Sequence, residues 1–418
     1  MFKKLLGSSS LLMLSNIIVA VGGLVFISLV AKKLTISEFG IFAVIQTYVL
    51  AVNSLLNFQT WYTVVKYLPR IENNKLFFSL LKYSYKLDLI TAVIGTITSI
   101  VLIYFVGTIL NISEYYYSIV QLFSFSILFN ITGTATGYFR SINNYKIFLY
   151  SDILATTFKV LSSLICYFYF SSIEAYLIVL LLSYFIKSFY LNLLLIYDKF
   201  TQIIIADISL IRSEFSDLRE YSVVTSVTSG FDVLFRQADT LLVSVFFGVQ
   251  YAGIFKMIKT FMGLITQITT PIYIVLFPMV NDYVIKNKKL ELKKIALHSI
   301  FLFASLGIAF FFIFVSIEDK LITSLFNSSY LQYTDYLNIY LMITLLSIIF
   351  TILHPITNLI GLHKEIMYLT IIKLILFVLL IYFLKDIYEF NGFLIAVFIE
   401  TILTIVIKYI WVNRWYRK

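Results

Sequence analysis

Long stretches of this chain carry almost no charge. Leu89 to Leu110 has none, and Ile366 to Leu384 has only Lys373. About 20 apolar residues are enough to cross the hydrocarbon core of a bilayer as an α-helix. Within lipid no water satisfies backbone N–H and C=O groups, so a spanning chain is helical or forms a closed barrel. A barrel would show alternating strands of about 9–11 residues, and these runs do not alternate. Composition removes the water-soluble alternative. The chain is 60% hydrophobic and 13% charged, against about 25% charged in soluble domains. Too few polar side chains exist to cover a surface.

Twelve spans are predicted, at about 11–31, 39–60, 88–110, 117–137, 147–170, 173–196, 222–247, 252–280, 295–316, 336–360, 366–385 and 391–411. The start, Met1-Phe2-Lys3-Lys4 before an apolar run, imitates a signal peptide. The run continues to Ala31 with no small-residue cleavage pattern, which reads as a retained first span. The lone Cys166 excludes a disulfide framework and reads as a small buried hydrophobe.

The net charge of +10 could suggest a nucleic-acid partner, but the cations sit elsewhere. With a cytoplasmic N-terminus, 21 Lys and Arg fall in cytoplasmic segments, including Lys66, Arg70, Lys75 and the cluster Lys286, Lys288, Lys289, Lys293, Lys294. The opposite connections hold four: Lys32, Lys33, Lys320 and Lys385. That asymmetry orients a multi-pass protein with both termini cytoplasmic and leaves no basic patch for nucleic acid.

The two halves echo one another. Glu38-Phe39-Gly40-Ile41-Phe42 opens the second span and Tyr251-Ala252-Gly253-Ile254-Phe255 the eighth. Each precedes a long helix and a cytoplasmic loop with Asn-Lys, Asn74-Lys75 and Asn287-Lys288. Six spans separate the copies, so both lobes have one orientation, as parallel repeats about an axis along the membrane normal do. The predicted division is a six-helix lobe over 1–197, a connecting segment over 198–221 and a second six-helix lobe over 222–418. The connecting segment mixes Ile203, Ile204, Ile205, Ile208, Leu210 and Ile211 with charges. It reads as an interfacial helix or as a solvated linker.

The mechanism is most legible in charges at bilayer depth. Each costs at least about 2.5–3.5 kcal/mol at a helix centre, so each must face protein or water. The candidates are Asp152, Lys159, Lys187, Asp232, Arg236, Asp239, Lys256, Lys259, Lys373 and Glu400. Asp232, Arg236 and Asp239 share one face of span seven. Asp239 and Lys259 match in depth, as do Asp152 and Lys187, while Lys373 and Glu400 fall near the middle of spans eleven and twelve. Asp88 and Lys408 lie near span ends and can snorkel. Six cations against four acids favour a wet cavity that takes an anion. The plainer reading is a set of fold-locking ion pairs, with Lys256 snorkelling. Lys159, Lys187, Lys256, Lys259, Lys373 and Arg236 are the candidate substrate contacts. Asp152, Asp232, Asp239 and Glu400 are the candidates for ion coupling or gating.

Pro271, Pro278 and Pro355 each remove a helix hydrogen bond and favour a kink. His354 beside Pro355 reads as a packed neutral ring or a proton relay. No G-x-x-x-x-G-K-[ST] phosphate loop is present, and His298, His354 and His363 lack metal-ligand spacing. These features point to a membrane protein with no enzyme active site, resident metal or cofactor.

Two segments carry a family likeness. Lys32-Lys33-Leu34 followed by Ser37-Glu38-Phe39-Gly40-Ile41-Phe42, and Arg236-Gln237-Ala238-Asp239 through Gly248 to Ala252-Gly253-Ile254-Phe255, resemble the polysaccharide exporters of the multidrug/oligosaccharidyl-lipid/polysaccharide superfamily. Within it the chain is similar to Wzx-type O-antigen or capsule repeat-unit flippases. The resemblance implies an all-α, MATE-like fold of twelve helices in two lobes related by a pseudo-two-fold. It implies a bacterial inner-membrane flippase for undecaprenyl-diphosphate-linked oligosaccharide, coupled to an H+ or Na+ gradient, with a polysaccharide polymerase and chain-length regulator as partners. An ion-coupled multidrug antiporter of the same superfamily would need an acidic cavity. A peptidoglycan-precursor flippase would carry spans beyond twelve. A non-transporting partner of the polymerase would need neither kinked helices nor an unbalanced midplane.

Overall fold

The protein is seen in a computed structural model. It describes the backbone of residues 2–197 and 199–417, and their side chains except 2–10, 12, 231, 232, 234–236, 266–279 and 363. Among the described residues every regular element is helical. In chain order they are α1 (Phe2–Lys33), α2 (Ile36–Leu56), α3 (Trp61–Tyr67), α4 (Asn74–Val106), α5 (Tyr117–Ser124), α6 (Ser126–Phe129), α7 (Gly133–Ser141), α8 (Lys146–Tyr169) and α9 (Ile173–Ile196). There follow α10 (Phe200–Ile205), α11 (Ile208–Glu214), α12 (Leu218–Phe247), α13 (Val249–Ile285), α14 (Lys289–Leu325), α15 (Thr334–Ile349), α16 (Leu353–Leu359), α17 (His363–Tyr388) and α18 (Phe390–Arg417).

All twelve predicted spans fall on these helices. Among the described residues nine are long and apolar enough to cross a membrane, and the bent pair around Phe350 makes a tenth. Predicted spans seven and eight fall on α12 and α13, which carry many of the side chains outside the description. Lipid is the natural solvent for what the fold leaves uncovered: Phe105, Phe301, Phe312 and Ile387 are at least two-thirds exposed. Water would not tolerate so much contiguous apolar surface.

Caps fix the helix starts. Thr35 accepts from the Glu38 backbone N–H at 3.3 Å, and Glu38 Oε2 accepts from the Thr35 N–H at 2.9 Å. This reciprocal box satisfies two otherwise orphaned donors at the start of α2. Asn73 accepts from Lys75 N–H at 2.8 Å and starts α4.

The chain forms two compact units, Met1–Gly253 and Ile254–Lys418. In the first, α1 lies along α8, α8 along α9, and α12 along α2. The α12 seam is built from small residues. Ser222, Ser226 and Gly230 recur every four positions, a spacing that lets two helix backbones approach. A Cβ on Gly230 would lie 2.4 Å from the Ser54 carbonyl oxygen, Ser226 donates to the Phe58 carbonyl, and Ser222 bonds Thr63 at 2.9 Å.

The segment after α9 is packed rather than a free linker. Ile211 of α11 is fully buried in a cluster with Val64, Tyr67, Leu68, Leu80, Tyr83 and Leu218. Lys82 Nζ donates to the carbonyls of Ile204 and Ala206 at 2.5 and 2.8 Å, closing the end of α10. Ile204 and Ile205 stay exposed, as an interfacial helix requires.

In the second unit α18 packs on α17, α15 and α16. Val280, Leu292, Ala296, Ile352, Leu353, Ile356 and Val412 form its buried core. Span ten bends by 43° between α15 and α16, and Pro355 supplies the cause. Proline has no N–H for the carbonyl four residues back, Thr351, and its ring clashes there. His354 N–H takes that carbonyl instead, at 3.1 Å.

Candidate functional site

In the first unit, charge at bilayer depth collects on α8 and α9. Lys187 Nζ lies 2.6 Å from Asp152 Oδ1, and Ser15 of α1 donates to the other carboxylate oxygen. The two predicted partners thus meet. Lys159, two turns along α8, is within electrostatic reach of both. Its ammonium stands 5.8 Å from the Phe26 ring centroid, a cation–π contact weaker than an ion pair. Among the described residues it makes no ion pair.

A second polar knot lies where span four is broken. Between α6 and α7 the backbone leaves helix geometry, and neighbouring helices satisfy the groups released. Asp88 of α4 accepts from Thr134 N–H at 2.9 Å, Thr134 Oγ1 at 2.7 Å and Thr60 Oγ1 at 2.6 Å. Asn192 of α9 donates to the Ile131 carbonyl at 2.6 Å. Gly133 is required here: a Cβ would stand 2.2 Å from Thr60 Oγ1.

The second unit holds a cavity of about 270 Å³ lined by Ser347, Phe350, Thr351, Leu353, His354, Lys373, Glu400, Thr401, Thr404, Ile405 and Lys408. Lys373 of α17 is ion-paired to Glu400 of α18. Lys408, two turns further along α18, lies 3.1 Å from His354 Nδ1. An ammonium only donates, so Nδ1 accepts and the ring is neutral with its proton on Nε2. The 3.3 Å approach of the Asn358 amide to Nε2 is then an Nε2–H···O bond, with the amide oxygen turned to the ring. Two ammonium groups, one carboxylate and a neutral imidazole leave one positive charge in the cavity. The bend at Pro355 places Thr351, Leu353 and His354 along its wall.

Of the other predicted residues, Asp239 accepts from Thr240 N–H at 2.7 Å. Lys256 and Lys259 are half-buried on α13, with Lys259 Nζ 5.7 Å from the Phe255 ring centroid. The side chains of Asp232 and Arg236, and those of Pro271 and Pro278, lie outside the described residues.

Two expectations are corrected. Asp88 and Lys408 do not snorkel. Asp88 is 5% exposed because three donors meet it inside the unit. Lys408 turns into the cavity because His354 offers it an acceptor. Sequence reasoning missed both because their partners are 28, 46 and 54 residues away. The available signal was a lysine well inside α18 and a histidine next to the helix-bending proline.

Residues 5–284 match the family described as polysaccharide biosynthesis protein. An inner membrane protein of Escherichia coli K12, YghQ, is 23% identical over 171 residues, 40% of this chain. The match spans about half, 48%, of that relative's length. Among solved structures, an inward-facing multidrug resistance MATE family transporter of the MOP superfamily superposes with TM-score 0.74 at 14% identity, covering 95% of each chain. A MOP superfamily transporter from Pyrococcus furiosus, described as having a binding pocket of reversed polarity, gives 0.64 at 15% identity over 99% of this chain and 96% of its own. A MATE bound to MaD3S gives 0.62 at 14% identity, covering 99% and 96%. The chain is a multi-pass membrane protein with the MATE-like fold, and it belongs to the polysaccharide biosynthesis protein family.

Proposed function

We propose that this protein is a flippase that carries undecaprenyl-diphosphate-linked oligosaccharide from the cytoplasmic to the outer leaflet of a bacterial inner membrane, for O-antigen or capsule synthesis. Family membership supports the polysaccharide context, and the fold is one that exporters use. The observation that carries the sign of the substrate is the surplus lysine in each unit. Lys159 stands beside the Asp152–Lys187 pair, and Lys408 beside the Lys373–Glu400 pair. Unbalanced cations at bilayer depth are costly alone, and a diphosphate headgroup offsets that cost through charge-assisted hydrogen bonds. A cationic drug would meet the wrong sign. The fold does not by itself choose between signs, since a MOP transporter of reversed pocket polarity shares it.

The pairs also suggest how an ion gradient could act. A proton on Asp152 or Glu400 removes the carboxylate charge and frees Lys187 or Lys373 for an anion. Arg236, Lys256 and Lys259 would extend the anion contacts, with Asp232 and Asp239 as further coupling candidates. A polymerase and a chain-length regulator would receive the product.

Deletion should leave lipid-linked repeat units on the inner leaflet, and the wild-type gene should clear them. The double variant Lys159→Ala, Lys408→Ala, expressed at the wild-type level, should restore less than about a tenth of the flux. Full restoration by that variant would remove the basis for an anionic substrate.

A further inference from the structure

We propose that the cavity of the second unit is a binding site for one small monovalent anion, held by Lys408 and Lys373. The site stands on the cavity itself, and it would be occupied whether or not the chain moves a lipid-linked sugar.

Charge comes first. Lys408 has a neutral imidazole as its hydrogen-bond partner and no carboxylate, while Glu400 is already paired with Lys373. The cavity therefore carries one positive charge more than it balances. Lys408 sits nine residues before Arg417 on α18, about 14 Å along the helix, and lines the cavity. One monovalent anion restores neutrality, and a divalent one would overshoot.

Hydrogen-bond capacity agrees. Each ammonium has three donors. Lys373 uses one on Glu400 and Lys408 one on His354, which leaves four N–H groups facing a shared space. Thr351 and Ser347 line the same cavity. The acceptors are engaged: Glu400 takes Lys373, and His354 Nδ1 takes Lys408. A donor-rich pocket whose carboxylate and imidazole each already take an ammonium suits an anion better than a metal cation. The volume sets the size. About 270 Å³ holds a hydrated ion or a single carboxylate-bearing sugar, since one water takes about 30 Å³.

One chemistry thus has two sources: a free anion such as chloride, or the carboxylate of an acidic sugar. Radiolabelled chloride binding to the purified full-length protein in detergent, read by scintillation proximity at constant ionic strength, tests both. Saturable binding approaching one chloride per chain is expected. Lys408→Gln, which keeps a polar side chain without the charge, should weaken it by about tenfold or more. Glu400→Gln should tighten it, because that variant raises the surplus charge from one to two. This second variant opposes any general loss of folding, which would only weaken binding. Displacement of label by glucuronate but not glucose assigns the site to acidic sugars as well, and failure of glucuronate assigns it to a free co-ion. No saturable binding in the wild type, or unchanged binding in Lys408→Gln, overturns the proposal. Leaflet accumulation of lipid-linked units is a separate readout, so loss of the anion site and loss of flipping can be told apart.

Discussion

Asp88 illustrates how a carboxyl group is kept inside a bilayer-spanning bundle without a cation. Three donors from Thr60 and Thr134 converge on it, and one of them is the Thr134 backbone N–H that the break before α7 releases. Removing the acceptor strands all three, and each buried unsatisfied group costs about 1–3 kcal/mol. Asp88→Ala should therefore lower the unfolding free energy by about 3 kcal/mol or more, read from thermal unfolding of the solubilised protein. Gly133→Ala should be similarly damaging, because its Cβ would enter the Thr60 Oγ1 and Asp88 contact. A neutral result for Asp88→Ala would mean that the break in span four is held by Asn192 instead.

Two helix starts meet closely where the repeated Gly-Ile-Phe segments begin. A Cβ on Gly40 would stand 1.7 Å from the Val249 carbonyl oxygen, and one on Gly253 2.5 Å from the Ile36 carbonyl oxygen. The obstacles are backbone atoms, which cannot rotate aside as a side chain can. Gly40→Ala and Gly253→Ala should each cost about 2 kcal/mol or more. Their double variant should cost less than the sum, since both open one crossing. On the segment connecting α9 to α12, Ile211→Ala should cost about 2–5 kcal/mol, as for a buried isoleucine elsewhere. Asp217, just before α12, is clasped by Lys66 at 3.0 Å. The Lys66 ammonium and the Tyr67 hydroxyl hold its carboxyl below the usual carboxylate range. A lowered value means the clasp contributes above the unfolded-state value and is lost only as pH falls through the lowered one. Protease cleavage within 198–221 should not change between about pH 6 and pH 8.

At the scale of the whole molecule, the Lys and Arg asymmetry predicts the membrane orientation. In a Cys166→Ala background, Asn287→Cys should be labelled from the cytoplasmic side and Ser113→Cys from the outside. Both positions are exposed. The opposite pattern would invert the protein, and with it the direction of the proposed transport. The surplus lysines belong to this scale too. They act as a set, so the loss of flux in the Lys159, Lys408 double variant should differ from the product of the two single losses.

Local sequence determined the class of structure. Continuous apolar runs leave only helices, because lipid offers backbone groups no other partner, and all twelve predicted spans fall on helices. Depth counted along a helix was enough to bring Asp152 to Lys187, since adjacent antiparallel spans share a ruler of about 1.5 Å per residue. The Thr35–Glu38 cap is a contact within one turn, so it is decided locally too. The tertiary fold alone decided that Asp88 is enclosed, that Lys408 meets His354, and that the two Gly-Ile-Phe copies include a helix crossing. Those contacts join residues dozens or hundreds of positions apart. Which face of a helix meets which neighbour depends on how all the helices pack, and no periodicity within one helix carries that information.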